Sequence, residues 1–411
     1  MLLFYKFFTQ FYFFAIKIAS LFNNKAKLLI IGQKQWKKIL QEKVKTNEKY
    51  VWIHCASLGE FEQGRPLIEK IKTETPTLKI ALTFFSPSGY EIRKNYNLAD
   101  IICYLPFDSP KNAKDFLKIL NPVYAVFIKY EFWYFMLNQL KKNNIPFFLI
   151  AGIFRKNQIF FKTYGKFYLN VLKNFSFFFL QDENSKNILN DYGIKNCINC
   201  GDTRFDRVIS ISKEKYENDF FEKYSSQKNV IVCGSTWKED EKIIIDYINN
   251  VDNEYKFIIA PHEIDEKHIK NIETNIKKRH IKMSEIRNQN PDEYKVIIID
   301  NIGLLSKIYR YGKIAYIGGG FGKGIHNTIE AAVYNIPVIF GPNNKKFKEA
   351  QDLLKSGFAF SISNYKDFKN ALNIIEDNDK LENITCGLQA YFNESLGATC
   401  QIFEKINYIQ S

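Results

Sequence analysis

Short apolar runs, most of them four to eight residues long, alternate with amphipathic stretches of helical period along most of this chain. The first is YVWIHCAS at 50–57, followed by the helix-like EFEQGRPLIEKIKTE. KIALTFFS, ADIICYLPFD, PVYAVFIKYEFW, PFFLIAGIF, FSFFFLQDE and NCINCGDTRFD then recur with helical segments between them, making about six βα units by residue 207. Residues 208–228 are polar and helical, and read as a boundary. The alternation restarts at Asn229 with VIVCGSTW, a helix over 238–250, KFIIAPHEI, HIKMS, KVIIID and a helix over 302–311. It continues through IAYIGGGFGKGIHNTIEAAVYNIPVIFGPN at 314–343: strand, glycine loop, a helix beginning near Asn327 with Asn327 or His326 as its N-cap, and another strand. Runs this apolar suit strands covered on both faces, hence parallel sheets with crossover helices. The predicted fold class is α/β, with two Rossmann-like doubly wound domains facing a cleft.

The first 22 residues break the pattern. They carry nine Phe or Tyr and only two charges, Lys6 and Lys17. On a helical wheel Lys6, Thr9, Gln10, Lys17, Ser20 and Asn24 fall on one narrow stripe, with Phe13 the intruder. A helix lying in a membrane interface uses such a stripe, and the basic segment around Trp36 suits anionic head groups. The predicted organisation is a membrane-attachment segment over 1–44, an acceptor domain over 45–210 and a linker over 211–228. A nucleotide-sugar domain over 229–385 and a terminal helix over 386–411, packing back on the first domain, complete it.

Composition sharpens this only in places. A chain of 411 residues with 46% hydrophobic content is long enough for two cores and is not disordered. Its net charge of +14 calls for an acidic partner: a phosphorylated small molecule, an anionic membrane or nucleic acid. No nucleic-acid-binding motif is present. Seven scattered cysteines fit a reducing compartment, and the lone pair Cys197 and Cys200 lacks the partners of a zinc site.

Candidate chemistry lies where ligands bind in such sheets, beyond the carboxyl ends of the strands. His54 to Glu60, Ser86 to Gly89, Glu131, Arg155, Arg204, Gly234 to Thr236, Pro261-His262 and Gly318 to Asn327 all fall there. The glycine loop, with Gly319, Gly320 and Gly322, reads as a possible phosphate loop before a helix N-terminus. Glu330, one turn into that helix, is placed to reach ribose hydroxyls. Glu239, Asp240 and Glu241 read as a solvated helix face, His268 and His280 as surface residues, and His54 as a structural or acceptor-contacting imidazole.

With HCASLGE at 54–60 and HNTIEAA at 326–332 in view, the chain resembles the Kdo (3-deoxy-D-manno-octulosonic acid) transferases of lipopolysaccharide biosynthesis, which are GT-B glycosyltransferases. TFFSPSGYE, YLPFD, KYEFW, GDTRFD, GSTWKEDE, APHEID and IPVIFGPN follow the same order. The resemblance implies transfer of Kdo from CMP-Kdo to a lipid A precursor with inversion, at the cytoplasmic face of the cell inner membrane, with no cofactor or essential metal. It implies Glu60 as proton acceptor, and Glu131 and Arg204 as transition-state stabilisers. CMP contacts fall to Pro261, His262, Ile302, Gly303, Leu304, Asn327, Thr328, Ile329 and Glu330. Pro261 stands where some relatives carry Arg, Arg204 where Lys is found, and Leu304 where an acidic residue occurs. The chemistry is consistent: a strand-end carboxylate can take a sugar hydroxyl's proton, an anionic neighbour can offset oxocarbenium charge, and a cation can offset the departing phosphate. The alternatives are a GT-B enzyme using a UDP- or GDP-sugar, and a non-catalytic basic protein of the membrane surface.

Overall fold

The computed structural model describes residues 1–226, 229–252 and 255–410. Positions 227 and 228 of the expected linker and position 411 of the expected terminal helix lie outside the described residues. The chain forms two compact units, 1–206 with 395–411, and 207–394.

In the first unit seven parallel strands run in the order β3-β2-β1-β4-β5-β6-β7. They are β1 (Tyr50–Cys55), β2 (Lys79–Phe84), β3 (Ile101–Tyr104), β4 (Tyr124–Ile128), β5 (Phe147–Gly152), β6 (Phe177–Leu180) and β7 (Cys197–Asn199). Every residue of β1, β4 and β5 is buried, as strands covered on both faces must be. One face packs Trp52, Phe116, Phe127 and Phe147; the other packs Ile53, Phe61, Ile68 and Ile71. Each such side chain contributes about 1.5–3 kcal/mol by leaving water. The terminal helix Ala398–Gln410 adds Ile402, Phe403 and Ile406 to the second face. Asp206 caps it, accepting from the amides of Gly397 and Thr399 at 2.7 Å each.

Two helices open this unit, α1 (Leu2–Ala19) and α2 (Asn24–Lys43). α1 is long and apolar enough to cross a membrane, with a mean hydropathy of 1.2. Its half-buried residues are Tyr5, Thr9, Phe13, Ile16 and Ser20. Of the polar stripe only Thr9 and Ser20 are half-buried, while Lys6, Gln10, Lys17 and Asn24 stay exposed. Phe4, Phe7, Phe8, Phe11, Tyr12, Phe14 and Ile18 point outward.

The second unit repeats the plan with β8 (Val230–Thr236), β9 (Lys256–Pro261), β10 (His280–Lys282), β11 (Val296–Ile298), β12 (Ile314–Ile317), β13 (Val338–Phe340) and β14 (Ala359–Ser361). All are parallel, in the order β10-β11-β9-β8-β12-β13-β14. Strand order reverses between β1 and β4 in one sheet and between β8 and β12 in the other, the positions where such folds open their ligand crevices. Several expected elements are shorter or displaced. The helix expected over 302–311 is one turn, Leu305–Ile308, and a 3-10 turn. The helix after the glycine loop spans only Ile329–Ala332, because the left-handed Asn335 (φ 59°) and Pro337 end it. β14 and the helix Tyr365–Ile375 follow without having been anticipated. The polar stretch after β7 forms the helices Thr203–Lys213 and Asp219–Ser225.

Candidate active site

At the β1–β4 switch of the first unit a chain of hydrogen bonds leads to Glu131, with His54 Nδ1 facing both the Thr83 carbonyl at 3.2 Å and the Thr83 hydroxyl. The Trp52 indole, a donor only, gives its proton to Thr83 Oγ1 at 2.8 Å. Thr83 Oγ1 lies 2.9 Å from His54 Nδ1, and His54 Nε2 lies 3.2 Å from Glu131 Oε2. A Thr83 hydroxyl donating to Nδ1 leaves the Nε2–H to donate to the carboxylate. His54 is fully buried, so it orients Glu131 and does not reach an acceptor. The Trp133 indole gives Glu131 Oε2 a second bond at 2.6 Å. Lys129, just past β4, takes a left-handed φ of 61°, turning the chain toward Glu131. A non-glycine residue held there is backbone strain of the kind concentrated at functional sites.

Glu60 sits in the first turn of α3 (Leu58–Glu74), behind the N-cap Ser57. Its Oε2 accepts from the Ala56 amide at 2.5 Å. A helix N-terminus alone would lower this carboxyl, which is the expectation such a position raises. The outcome is the reverse. Burial, then the neighbouring Glu131, push it up to about 7, against the Ala56 amide, His54 and Lys129. Desolvation outweighs the dipole here. Arg204 lies in the first turn of Thr203–Lys213, where its Nε and Nη2 bond Asp202 Oδ2 at 3.0 and 2.7 Å. Thr203 Oγ1 donates to the Gln63 carbonyl at 2.6 Å, fastening this turn to the helix that carries Glu60.

In the second unit the β8–β12 switch is built round an aromatic stack that the sequence reading stopped one residue short of. Trp237 stacks on His262 with centroids 4.7 Å apart, and His262 on His326 at 4.4 Å. The Trp237 indole donates to His326 Nε2 at 3.0 Å, which leaves the His326 proton on Nδ1. Burial and His262 push His326 down to about 4, so it is neutral at pH 7. Ser235, two residues before Trp237, has φ 53°, and the β8–β9 register slips there. An aromatic directly after the strand-end Thr236 was the available signal.

Asp240 and Glu241 are not solvated. Both are buried, and only Glu239 is exposed. Asp240 accepts from the Trp237 amide at 2.9 Å, the Gly319 amide at 2.8 Å and the Tyr316 hydroxyl at 2.7 Å. Glu241 Oε1 bonds Thr236 Oγ1 at 3.0 Å and His268 Nε2 at 2.9 Å, so His268 is buried too. The phosphate-loop expectation fails for the amides of Gly319 and Gly322. The first is held by Asp240, the second by the Gly319 carbonyl at 3.0 Å. The loop is glycine-rich for close packing: a Cβ on Gly318 would lie 2.2 Å from the Ser235 carbonyl oxygen, and one on Gly320 2.6 Å from Gly341. With a helix of only four residues after it, the expected helix N-terminal anion site does not form either.

The other nucleotide candidates gather at the same end of the sheet. Pro261 ends β9 and leads into the exposed His262. Ile302 is exposed and Gly303 turns with φ 95° ahead of Leu304. A Cβ on Gly234 would meet Leu305 and Tyr309, so the turn after Leu304 rests on the end of β8. Glu330 Oε1 accepts from Asn327 Nδ2 at 2.9 Å. Asn327 Oδ1 and Thr328 Oγ1 are buried without a hydrogen-bond partner, while Ile329 is core. Orphaned buried polar atoms are rare and mark a place for a ligand's polar groups. Glu263, Asp265 and His268 bring ligand atoms within 4.8 Å of one another, and His268 Nε2 bonds Glu241.

Two parallel doubly wound units, with strand-end carboxylates in one and an aromatic-histidine stack in the other, have the GT-B fold. UDP-GlcNAc 2-epimerase from Neisseria meningitidis has this architecture at 14% identity, with a TM-score of 0.60 over 88% of this chain and 100% of that one. Residues 33–207 match the family described as 3-Deoxy-D-manno-octulosonic-acid transferase (kdotransferase), and the chain resembles such transferases over most of its length. The 3-deoxy-D-manno-octulosonic acid transferase of Rickettsia prowazekii is 29% identical over 335 residues, 78% of this chain and 71% of that protein. A bifunctional glycosyltransferase/methyltransferase of Fusobacterium nucleatum is 28% identical over 89% of this chain, which spans only 58% of that longer relative.

Proposed function

We propose that the protein is an inverting transferase that moves Kdo from CMP-Kdo to a lipid A precursor of the lipid IVA type, on the cytoplasmic face of the inner membrane. The observation that carries this reading is Glu60, half-buried in the first turn of α3 beside Glu131, and pushed up to about 7. A carboxyl in that range is half-ionised at neutral pH and basic enough to take a proton in the transition state. Glu60 removes the proton of the acceptor hydroxyl as its oxygen bonds the anomeric carbon and the bond to the CMP phosphate breaks. Glu131, fixed by His54 and Trp133, offsets positive charge on the sugar, and Arg204 offsets negative charge on the leaving phosphate. Pro261, His262, Ile302, Gly303, Leu304, Asn327, Thr328, Ile329 and Glu330 hold CMP. The test is direct: protein, CMP-Kdo and a tetra-acylated lipid A precursor, with products followed by mass. Transfer that survives EDTA supports a reaction with no essential metal; transfer only from a UDP- or GDP-sugar rejects the donor.

Three further outcomes follow from this reading. Glu330→Ala should weaken CMP binding by roughly 1–3 kcal/mol, the range for leaving polar partners unpaired. Calorimetry with unchanged affinity in a folded variant removes Glu330 from the site. The acid limb of kcat/KM should fall near pH 7 and not near the ordinary 4.5, because activity needs the ionised form. Glu131→Gln deletes a negative neighbour that raises Glu60, so that limb should move to lower pH; a fixed or rising limb contradicts the coupling. Removing residues 1–22 should free the protein from anionic vesicles after a salt wash, since it removes the outward aromatic face. Protein that still sediments is attached by another surface.

A further inference from the structure

α1 does more than present an apolar face. The Tyr5 hydroxyl donates to Asp108 Oδ2 at 2.7 Å and accepts from the Tyr134 amide at 3.2 Å. Asp108 is buried and accepts from the amides of Phe135 at 2.9 Å and Met136 at 3.0 Å. These three amides are the first turn of the helix Tyr134–Lys142, whose own N-cap, Trp133, makes no side-chain capping bond. That helix start is therefore capped from outside, by Asp108 and by a residue of α1. The residue it begins from is the Trp133 whose indole holds Glu131. A second route runs through rings: Tyr12 of α1 stacks on Phe85 at 6.5 Å, and Phe85 packs on Trp133 at 4.8 Å. The Tyr5 ring meanwhile packs edge-on against Tyr134 at 5.7 Å.

We infer that Tyr5 is a positioning residue, and that seating α1 on the first unit sets Trp133 and through it the Glu131 carboxylate, so that the attachment helix organises the site as well as tethering it. The inference rests on the proposed role of Glu131, and adds that α1 controls it. With α1 lifted, the Tyr134 amide loses its acceptor, Asp108 loses its one hydroxyl donor, and Phe85 loses the ring beyond it. Trp133 then loses support on both routes, and its bond to Glu131 weakens.

Tyr5→Phe tests this, because it keeps the ring and its packing and removes only the hydroxyl. The full-length variant is compared with wild type on anionic phosphatidylglycerol vesicles and on detergent-dispersed acceptor. Co-sedimentation and the KM for CMP-Kdo should be unchanged, while kcat should fall about tenfold, the scale of one lost hydrogen bond. The acid limb of the pH–rate profile should move down, in the direction of Glu131→Gln, as the carboxylate leaves Glu60. The 15N signal of His54 Nε2 should shift as well, and it reports the bond to Glu131 without any catalysis. Wild-type kcat, limb and His54 signal in Tyr5→Phe, beside an impaired Glu131→Gln, overturn the inference and leave the function standing. A slowed Tyr5→Phe with unmoved limb and signal also overturns it, since the hydroxyl then acts elsewhere. Full activity in Glu131→Gln removes the role of Glu131 instead; the His54 signal then decides alone, a shift supporting the coupling and no shift ending it.

Discussion

Glu60→Gln should lower turnover on the order of a hundredfold or more while leaving CMP-Kdo affinity and folding intact. Gln preserves the oxygen that accepts from the Ala56 amide, so the turn at the start of α3 survives. What it cannot do is take a proton. The stability comparison separates this from a capping role. Burial and Glu131 raise the Glu60 carboxyl to about 7 in the folded state, so the folded protein loses stability as pH climbs from the ordinary value of 4.5 through 7. At pH 8 the wild type holds a half-buried carboxylate next to another, and the Gln variant holds a neutral amide. The variant's unfolding midpoint at pH 8 should therefore equal or exceed that of the wild type. A first-turn charge kept for the helix dipole predicts the opposite, a loss of up to about 1 kcal/mol with little change in rate. A Gln variant that keeps more than about a tenth of wild-type turnover excludes Glu60 as the base.

The second large effect belongs to Asp240, and it is one of folding. Asp240→Ala should destabilise the second unit by about 3 kcal/mol or more, because three buried donors, at Trp237, Gly319 and Tyr316, lose their common acceptor. For a unit of this size the thermal midpoint should drop by roughly 6–12 °C. CMP binding should weaken with it, since the same carboxylate joins the backbone under Trp237 to the glycine loop that leads into His326. Glu239→Ala, one residue away and exposed, should change the midpoint by less than about 2 °C, the scale of a surface substitution. Equal midpoints for the two variants would show that the carboxylate does not hold this junction together.

Both predictions depend on information of different origin. Apolar runs bounded by glycine and polar turns were enough to place most strands, because burial on both faces of a parallel sheet leaves a mark within each run. The positions of Glu60, Glu131, His262 and Asn327 at strand ends followed from the same local pattern. So did the stripe on α1. The chain order of motifs such as HCASLGE and HNTIEAA carried the resemblance to the Kdo transferases, through the types and spacing of residues. What the sequence could not carry was every property set by a partner far along the chain. Asp240 lies 79 positions from Gly319, and nothing within its helix distinguishes it from the exposed Glu239. Glu60 sits where a helix dipole lowers a carboxyl, yet the sign of its shift is decided by how deeply the fold buries it and by Glu131 beside it. Tyr5 read as one aromatic among nine, until folding brought it to Asp108, 103 residues away. Periodicity records which side of an element leaves water; only tertiary contact decides which charges lose water together, and that sets the chemistry.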